Sequence, residues 1–189
     1  MIPEGPYLVI PEVSSARREY VPIGWIEPPT IPSNQLLVVE HAKLWEFGVL
    51  TSRVMMAWLA EIGGRLKSDF RFSSGLVYNT FPWPEATPTH HSKIEELAQA
   101  VLDARLAHPT SSLADLYDPD TMPANLRKAH RTLDAAVDRL YRKKPFDSDR
   151  DRVEHLFGLY EKLVNPLSGA EQQNKRTARQ RKRRESKPD

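Results

Sequence analysis

The 189-residue sequence contains no cysteine, which excludes a disulfide framework, a thiolate metal site and a cysteine nucleophile. Apolar runs are short. None approaches the roughly 20 residues that a membrane-spanning helix needs, and the proline-rich start from Met1 to Val9 lacks the parts of a secretory signal. The expectation is a cytoplasmic protein with no membrane partner. Glycine is scarce, eight residues against sixteen prolines, and Gly63-Gly64 fits neither nucleotide-binding fingerprint. A G-x-S-x-G elbow, a phosphate-binding glycine loop and a kinase signature are all missing. The six histidines, His41, His90, His91, His108, His130 and His155, show no metal-ligand spacing such as H-E-x-x-H. Catalytic residues and a metal site are therefore not expected.

Charge is present but unevenly placed. Ser168 to Asp189 carry eight basic and three acidic residues, a net of +5, which leaves 19 basic and 22 acidic residues over Met1 to Leu167, a net of −3. The body is not a generally basic nucleic-acid binder, so a DNA contact there requires a local cluster. The last 22 residues have almost no apolar side chains and are expected to be a disordered basic tail.

Three β-type runs, PYLVIPEV, EYVPIGWI and QLLVV, lie between residues 6 and 40 and are separated by turn-rich pieces. From Leu44 to Ile62 the residues are apolar nearly all round and a Gly63-Gly64 stop follows, the pattern of one buried helix. Past His90 and His91, read as loop, the sequence turns helical. Ser92 with Glu95 forms a capping box for a helix burying Ile94, Leu97, Ala98, Val101, Leu102 and Leu106. A second helix is expected from Pro123, with Leu126, His130, Leu133, Val137, Leu140 and Tyr141 inward. A third is expected from about Ser148, with Val153, Leu156, Phe157, Tyr160, Leu163 and Val164 inward. Acids at these predicted starts, Glu95-Glu96 and Asp147 with Asp149, suit the positive end of a helix dipole and need no catalytic reading.

The most informative stretch is RLKSDFRFS. Arg65, Lys67, Asp69 and Arg71 share one parity, and Leu66, Ser68, Phe70 and Phe72 the other. Read as one strand from Arg65 to Ser73, four charges lie on one face and aromatics anchor the other. Lysine and arginine can donate to guanine O6 and N7, aspartate can accept from cytosine N4, and serine or a further arginine can hold phosphate. An exposed strand with cross-strand ion pairs is the alternative.

The runs FGVLTSRVMMAW, GGRLKSDFRFS and VYNTFPWP resemble the C-terminal part of the Mme-type (Type IIL) restriction-modification enzymes and related adenine-specific DNA methyltransferases. VSSARREYVPIGW resembles that family's target recognition domain, and LADLYDPDTMPANLRKAHRTLDAAVDRLY its C-terminal helical domain. The resemblance spans roughly residues 6 to 165. It implies a target recognition domain over 1–84, incomplete at Met1, a helical domain over 85–167 and the tail over 168–189. The fold class expected is α+β: a small mixed sheet with a buried helix, then a small helical bundle.

The resemblance also implies a function: DNA recognition for an enzyme whose methyltransferase core, and the S-adenosylmethionine bound to it, lie outside this chain. The partners implied are double-stranded DNA and that core. Neither an NPPY-type catalytic loop nor a glycine-rich cofactor loop is present. The segment GRLKSDFR is implied to read a base pair through Lys67 and Asp69, with Arg71 beside them. Backbone contacts are assigned to Ser14, Ser15, Arg17, Arg18, Arg65 and Ser73. The rival expectation is a fragment that docks on a methyltransferase partner without reading DNA itself.

Overall fold

The computed structural model describes residues 4–165, so the expected tail lies outside the described residues. The α+β class stands, and the strands divide between two three-stranded antiparallel sheets. β1 (Tyr7–Pro11) is the centre of the first, between β3 (Gly24–Ile26) and β4 (Leu36–Val39). Tyr7, Leu8, Val9 and Ile10 are all buried, so both faces of β1 are covered. That is why its sequence is continuously apolar and not alternating.

One residue later the same chain enters the second sheet. Glu12 donates its N–H to the Gln35 carbonyl at 3.2 Å and accepts from the Phe72 N–H at 2.8 Å, joining the two sheets. β2 (Val13–Ser14) then pairs with β6 (Asp69–Arg71), whose other neighbour is β5 (Gly64–Leu66).

The apolar run from Leu44 to Ile62 forms two helices where one was expected: α1 (Leu44–Leu50) and α2 (Arg53–Ile62). Hydrogen bonding at the break explains it. The Ser52 hydroxyl donates to the Val49 carbonyl at 2.7 Å, and the Arg53 N–H donates to the Asp134 carboxylate at 2.7 Å. A carboxylate from a distant helix thus caps the start of α2, doing the work usually left to a local side chain. Gly63 ends α2 in extended backbone (φ −62°, ψ 142°). Glycine is needed there because a Cβ would lie 2.4 Å from the Leu59 carbonyl oxygen.

α3 (Pro88–Leu106) opens before the expected Ser92 cap. Thr87 is the cap: its hydroxyl accepts from the His90 N–H and its own N–H donates to His90 Nδ1, both at 3.3 Å. His90 and His91 therefore lie in a first helical turn and not in a loop, and Pro88 occupies a position where its missing N–H costs nothing. Leu106, expected inward, is 74% exposed, while Arg105 is buried. α4 (Leu113–Leu116) is a single turn. α5 (Ala124–Tyr141) buries Leu126, His130, Leu133 and Val137 on its expected stripe. α6 (Asp149–Val164) starts at a Ser148 cap as expected but fully buries only Leu156, with Leu163 and Val164 exposed.

α3 packs on α5 and on α1, while α6 packs on α2. The first two helices therefore stand inside the helical part, and one apolar cluster runs from Leu8 to Leu156. Where α1 crosses α3, a Cβ on Gly48 would lie 2.6 Å from Ile94 Cγ2 and 3.2 Å from Ala98 Cβ. Only glycine allows this approach.

Candidate nucleic-acid interface

The stretch from Gly64 to Arg71 is a hairpin and not one strand. Gly64 pairs with Arg71, Arg65 with Phe70 and Leu66 with Asp69, and Lys67-Ser68 make the turn. Lys67 takes a left-handed backbone (φ 56°), uncommon for a residue with a side chain. The charge alternation runs straight through a turn, so the expected face of four charges does not form. Directly paired residues share a face. Arg65 lies with Phe70, its guanidinium 4.1 Å from the ring centroid and donating to the Ser68 carbonyl at 3.2 Å. It braces the hairpin from behind.

Asp69 and Arg71 do share the opposite face, with Leu66 beside Asp69 and Val13 of β2 beside Arg71. Lys67 projects from the turn. Lys67 and Arg71 are exposed and have no side-chain partner among the described residues. The Asp69 carboxylate is half-buried and accepts from the Ala16 N–H at 3.4 Å. Inward, Phe70 and Phe72 join the core.

The other expected backbone contacts are scattered. Ser14 is 3% exposed and faces inward beside Phe70, so its hydroxyl does not reach the surface. The Ser15 hydroxyl accepts from the Arg17 N–H at 3.3 Å, and the Ser73 hydroxyl accepts from the Leu76 N–H at 3.3 Å, capping a π-helical turn (Ser74–Tyr78). Arg17 meets Asp120 at 2.8 Å, with the two side chains 70% and 72% exposed. A pair so open to water is worth little. Arg18 is half-buried without a side-chain partner among the described residues.

Other arginines serve the fold. Arg53 joins Asp149 and the Glu19 carbonyl; Arg152 joins Asp138 and Asp149; Arg142 joins Asp151. Arg105 donates to the Ile23 carbonyl and to the Tyr117 hydroxyl. That hydroxyl lies 2.6 Å from His130 Nε2. Since Arg105 fills the acceptor side of the phenol oxygen, its proton points to His130 Nε2, and the imidazole is neutral with its own proton on Nδ1. Burial, reinforced by the Arg105 charge, pushes the imidazole pKa down to about 3. This places His130 in the core network, as its position on the stripe implied.

Two groups were missed by reading the sequence. One is the Tyr20, Arg53 and Asp134 network, for which no local signal existed. The other is a set of cations on the outward side of α5, lining an open groove against α3. The spacing of Lys128, Arg131 and Arg139 on one helical stripe was the available sign. Among the described residues, no cluster of His, Cys, Asp or Glu could hold a metal, and no helix is long and apolar enough to cross a membrane.

Residues 2–85 match the family described as "MmeI, target recognition domain", and residues 86–168 the one described as "MmeI, C-terminal domain". DNA methyltransferase A of Bacillus subtilis (strain 168) is 44% identical over 157 residues, covering 83% of this chain and 18% of that protein. A solved structure of Type IIL restriction-modification enzyme MmeI in complex with DNA matches with a TM-score of 0.83 at 43% identity. That match covers 87% of this chain and 22% of the other. The chain spans about a fifth of the length of these relatives.

Proposed function

The chain belongs to the MmeI family, of which it comprises the target recognition and C-terminal domains, and from that premise we propose that it reads DNA sequence for a restriction-modification enzyme. The methyltransferase core, adenine-specific in this reading, lies outside the chain. S-adenosylmethionine would supply the methyl group there. That cofactor is expected on the core and not on this chain. The part its own residues play is to bind and orient the duplex.

The observation that carries the proposal is the β5–β6 hairpin. A two-stranded ribbon fits the B-DNA major groove, about 12 Å wide, and base edges there are read by donors and acceptors. The hairpin presents Lys67 and Arg71 outward with no side-chain partner among the described residues, while Arg53, Arg105, Arg142 and Arg152 are all engaged within the fold. Lys67 suits guanine O6 and N7, and Asp69 suits the N4 amino group of the paired cytosine, so together they specify one G·C pair. Arg71, two residues along the strand, sits about 7 Å from Asp69. The DNA rise is about 3.4 Å per pair, so Arg71 addresses a different step of the duplex.

The test joins this chain to its methyltransferase core, exchanges the charges as Lys67→Glu with Asp69→Arg, and sequences the methylated sites. One position of the recognised sequence should turn from G·C to C·G, each good contact being worth about 1 to 3 kcal/mol of discrimination. An unchanged recognition sequence from a folded, active enzyme would sink the proposal.

A further inference from the structure

The inward stripe of α5, Leu126, His130, Leu133 and Val137, turns Lys128, Arg131 and Arg139 outward. At about 1.5 Å per residue, Lys128 to Arg139 covers about 16 Å of helix. With Lys93 of α3 and Arg127 they rim an open groove of about 770 Å³. Lys93 is offset by Glu96 at 2.8 Å and Arg127 by Glu19 at 3.2 Å. Lys128, Arg131 and Arg139 have no carboxylate partner among the described residues. Ala124, Ala135 and Ala136 give the groove a wall of small side chains, open to a close-lying ligand.

We propose that this groove is a phosphate track for the DNA backbone, continuing along α5 the contact that the hairpin begins; this rests on the reading given under Proposed function. Three unpartnered cations arise here although residues 1–167 carry more acids than bases, so general basicity does not explain them. Spread over about 16 Å, they cannot close on one phosphate and require an extended polyanion. The two surfaces are joined by contact. Asp69 of the hairpin accepts from the Ala16 N–H, and Glu19, three residues beyond Ala16, pairs with Arg127 on the groove's rim. A duplex engaged by both surfaces would cross this loop.

The experiment uses the 189-residue chain and duplexes of several sequences, with affinity read by fluorescence anisotropy between 50 and 200 mM salt. Lys128→Ala, Arg131→Ala and Arg139→Ala together should make the slope of log affinity against log salt shallower by about 0.9 per lost phosphate contact, about 2.7 in all. Over that fourfold salt range the variant then loses about 40-fold less affinity than the parent, equally on every sequence. The charge-keeping set Lys128→Arg, Arg131→Lys and Arg139→Lys should retain the parent slope.

Alanine is the best helix former, so exposed positions tolerate it; if the triple variant melts early, Arg131→Gln alone, expected near 0.9, decides. A folded variant with the parent slope overturns the track. So does a variant with the parent slope that no longer captures a separately supplied methyltransferase core, which would make the groove a protein-docking face. A shallower slope without any sequence preference in the assembled enzyme upholds the track and refutes base reading. Preserved preference with an unchanged slope does the reverse, and a parent chain that binds no duplex refutes both.

Discussion

Asp134 shows how one side chain carries several levels of the structure. It is 9% exposed, accepts from the Tyr20 hydroxyl at 2.6 Å and caps α2 through the Arg53 N–H. Burial, against the pull of those two hydrogen bonds, pushes its pKa from 3.8 up to about 6. The folded chain therefore holds a proton that the unfolded chain releases, and through this group stability declines as pH rises from about 4 to 6. His130 acts oppositely. Its pKa of about 3 means that the folded ring refuses a proton which the unfolded ring takes below about 6.5, so its contribution is lost on acidification. The two slopes oppose each other between pH 4 and 6. Asp134→Asn keeps an acceptor for the Arg53 N–H but no longer titrates, leaving the His130 slope uncompensated. Urea midpoints at pH 4, 5, 6 and 7 should then fall more steeply on acidification in the variant, by on the order of 2 kcal/mol over the range, at about 1.4 kcal/mol per pKa unit. Parallel curves for the two proteins would refute this coupling.

Between elements, glycine separates packing from propensity. In Gly48→Ala the gain in helix propensity, about 1 kcal/mol, meets a new methyl group 2.6 Å from Ile94 Cγ2, on a buried β-branched side chain that cannot rotate away. Overpacking of this kind costs about 1 to 3 kcal/mol, so the variant should unfold at lower denaturant. Gly158 of α6 has nothing within 4 Å of its Cβ position. Gly158→Ala should stabilise by up to about 1 kcal/mol, and the same denaturation measurement checks both signs. What was legible in the sequence divides along the same line. α5 could be read from its stripe and the start of α6 from the Ser148 cap, both local, although of the expected α6 stripe only Leu156 is fully buried. The break after Leu50 could not, since its cap comes from a residue 81 positions away. Pro88 opens α3 ahead of the expected Ser92 cap. The hairpin was hidden because Lys67-Ser68 is not one of the Asn-Gly or Asp-Gly pairs that announce such turns, and a two-residue turn leaves the charge alternation undisturbed. Of the expected reading residues, Asp69 and Arg71 could be placed on one face from sequence and Lys67, in the turn, could not; nor could Arg65, expected at the backbone, because pairing decides its side.

At the scale of the molecule, residues before and after position 85 share one apolar cluster, with α1 against α3 and α2 against α6. Unfolding should therefore be a single transition. The four tryptophans, Trp25, Trp45, Trp58 and Trp83, all precede residue 85, whereas most helix lies after it. Tryptophan fluorescence and far-ultraviolet circular dichroism thus report opposite parts of the chain, and their denaturation curves should coincide; two separated midpoints would show independent units. The pleat from Asp69 to Phe72 adds a division of another kind. Phe70 and Phe72 belong to the shared core, while Asp69 and Arg71 face away from it. Heritable change can therefore accumulate on the outward positions of this strand at little cost to folding, and under the proposed function a lineage of such chains is free to drift from one target to another while remaining the same folded object.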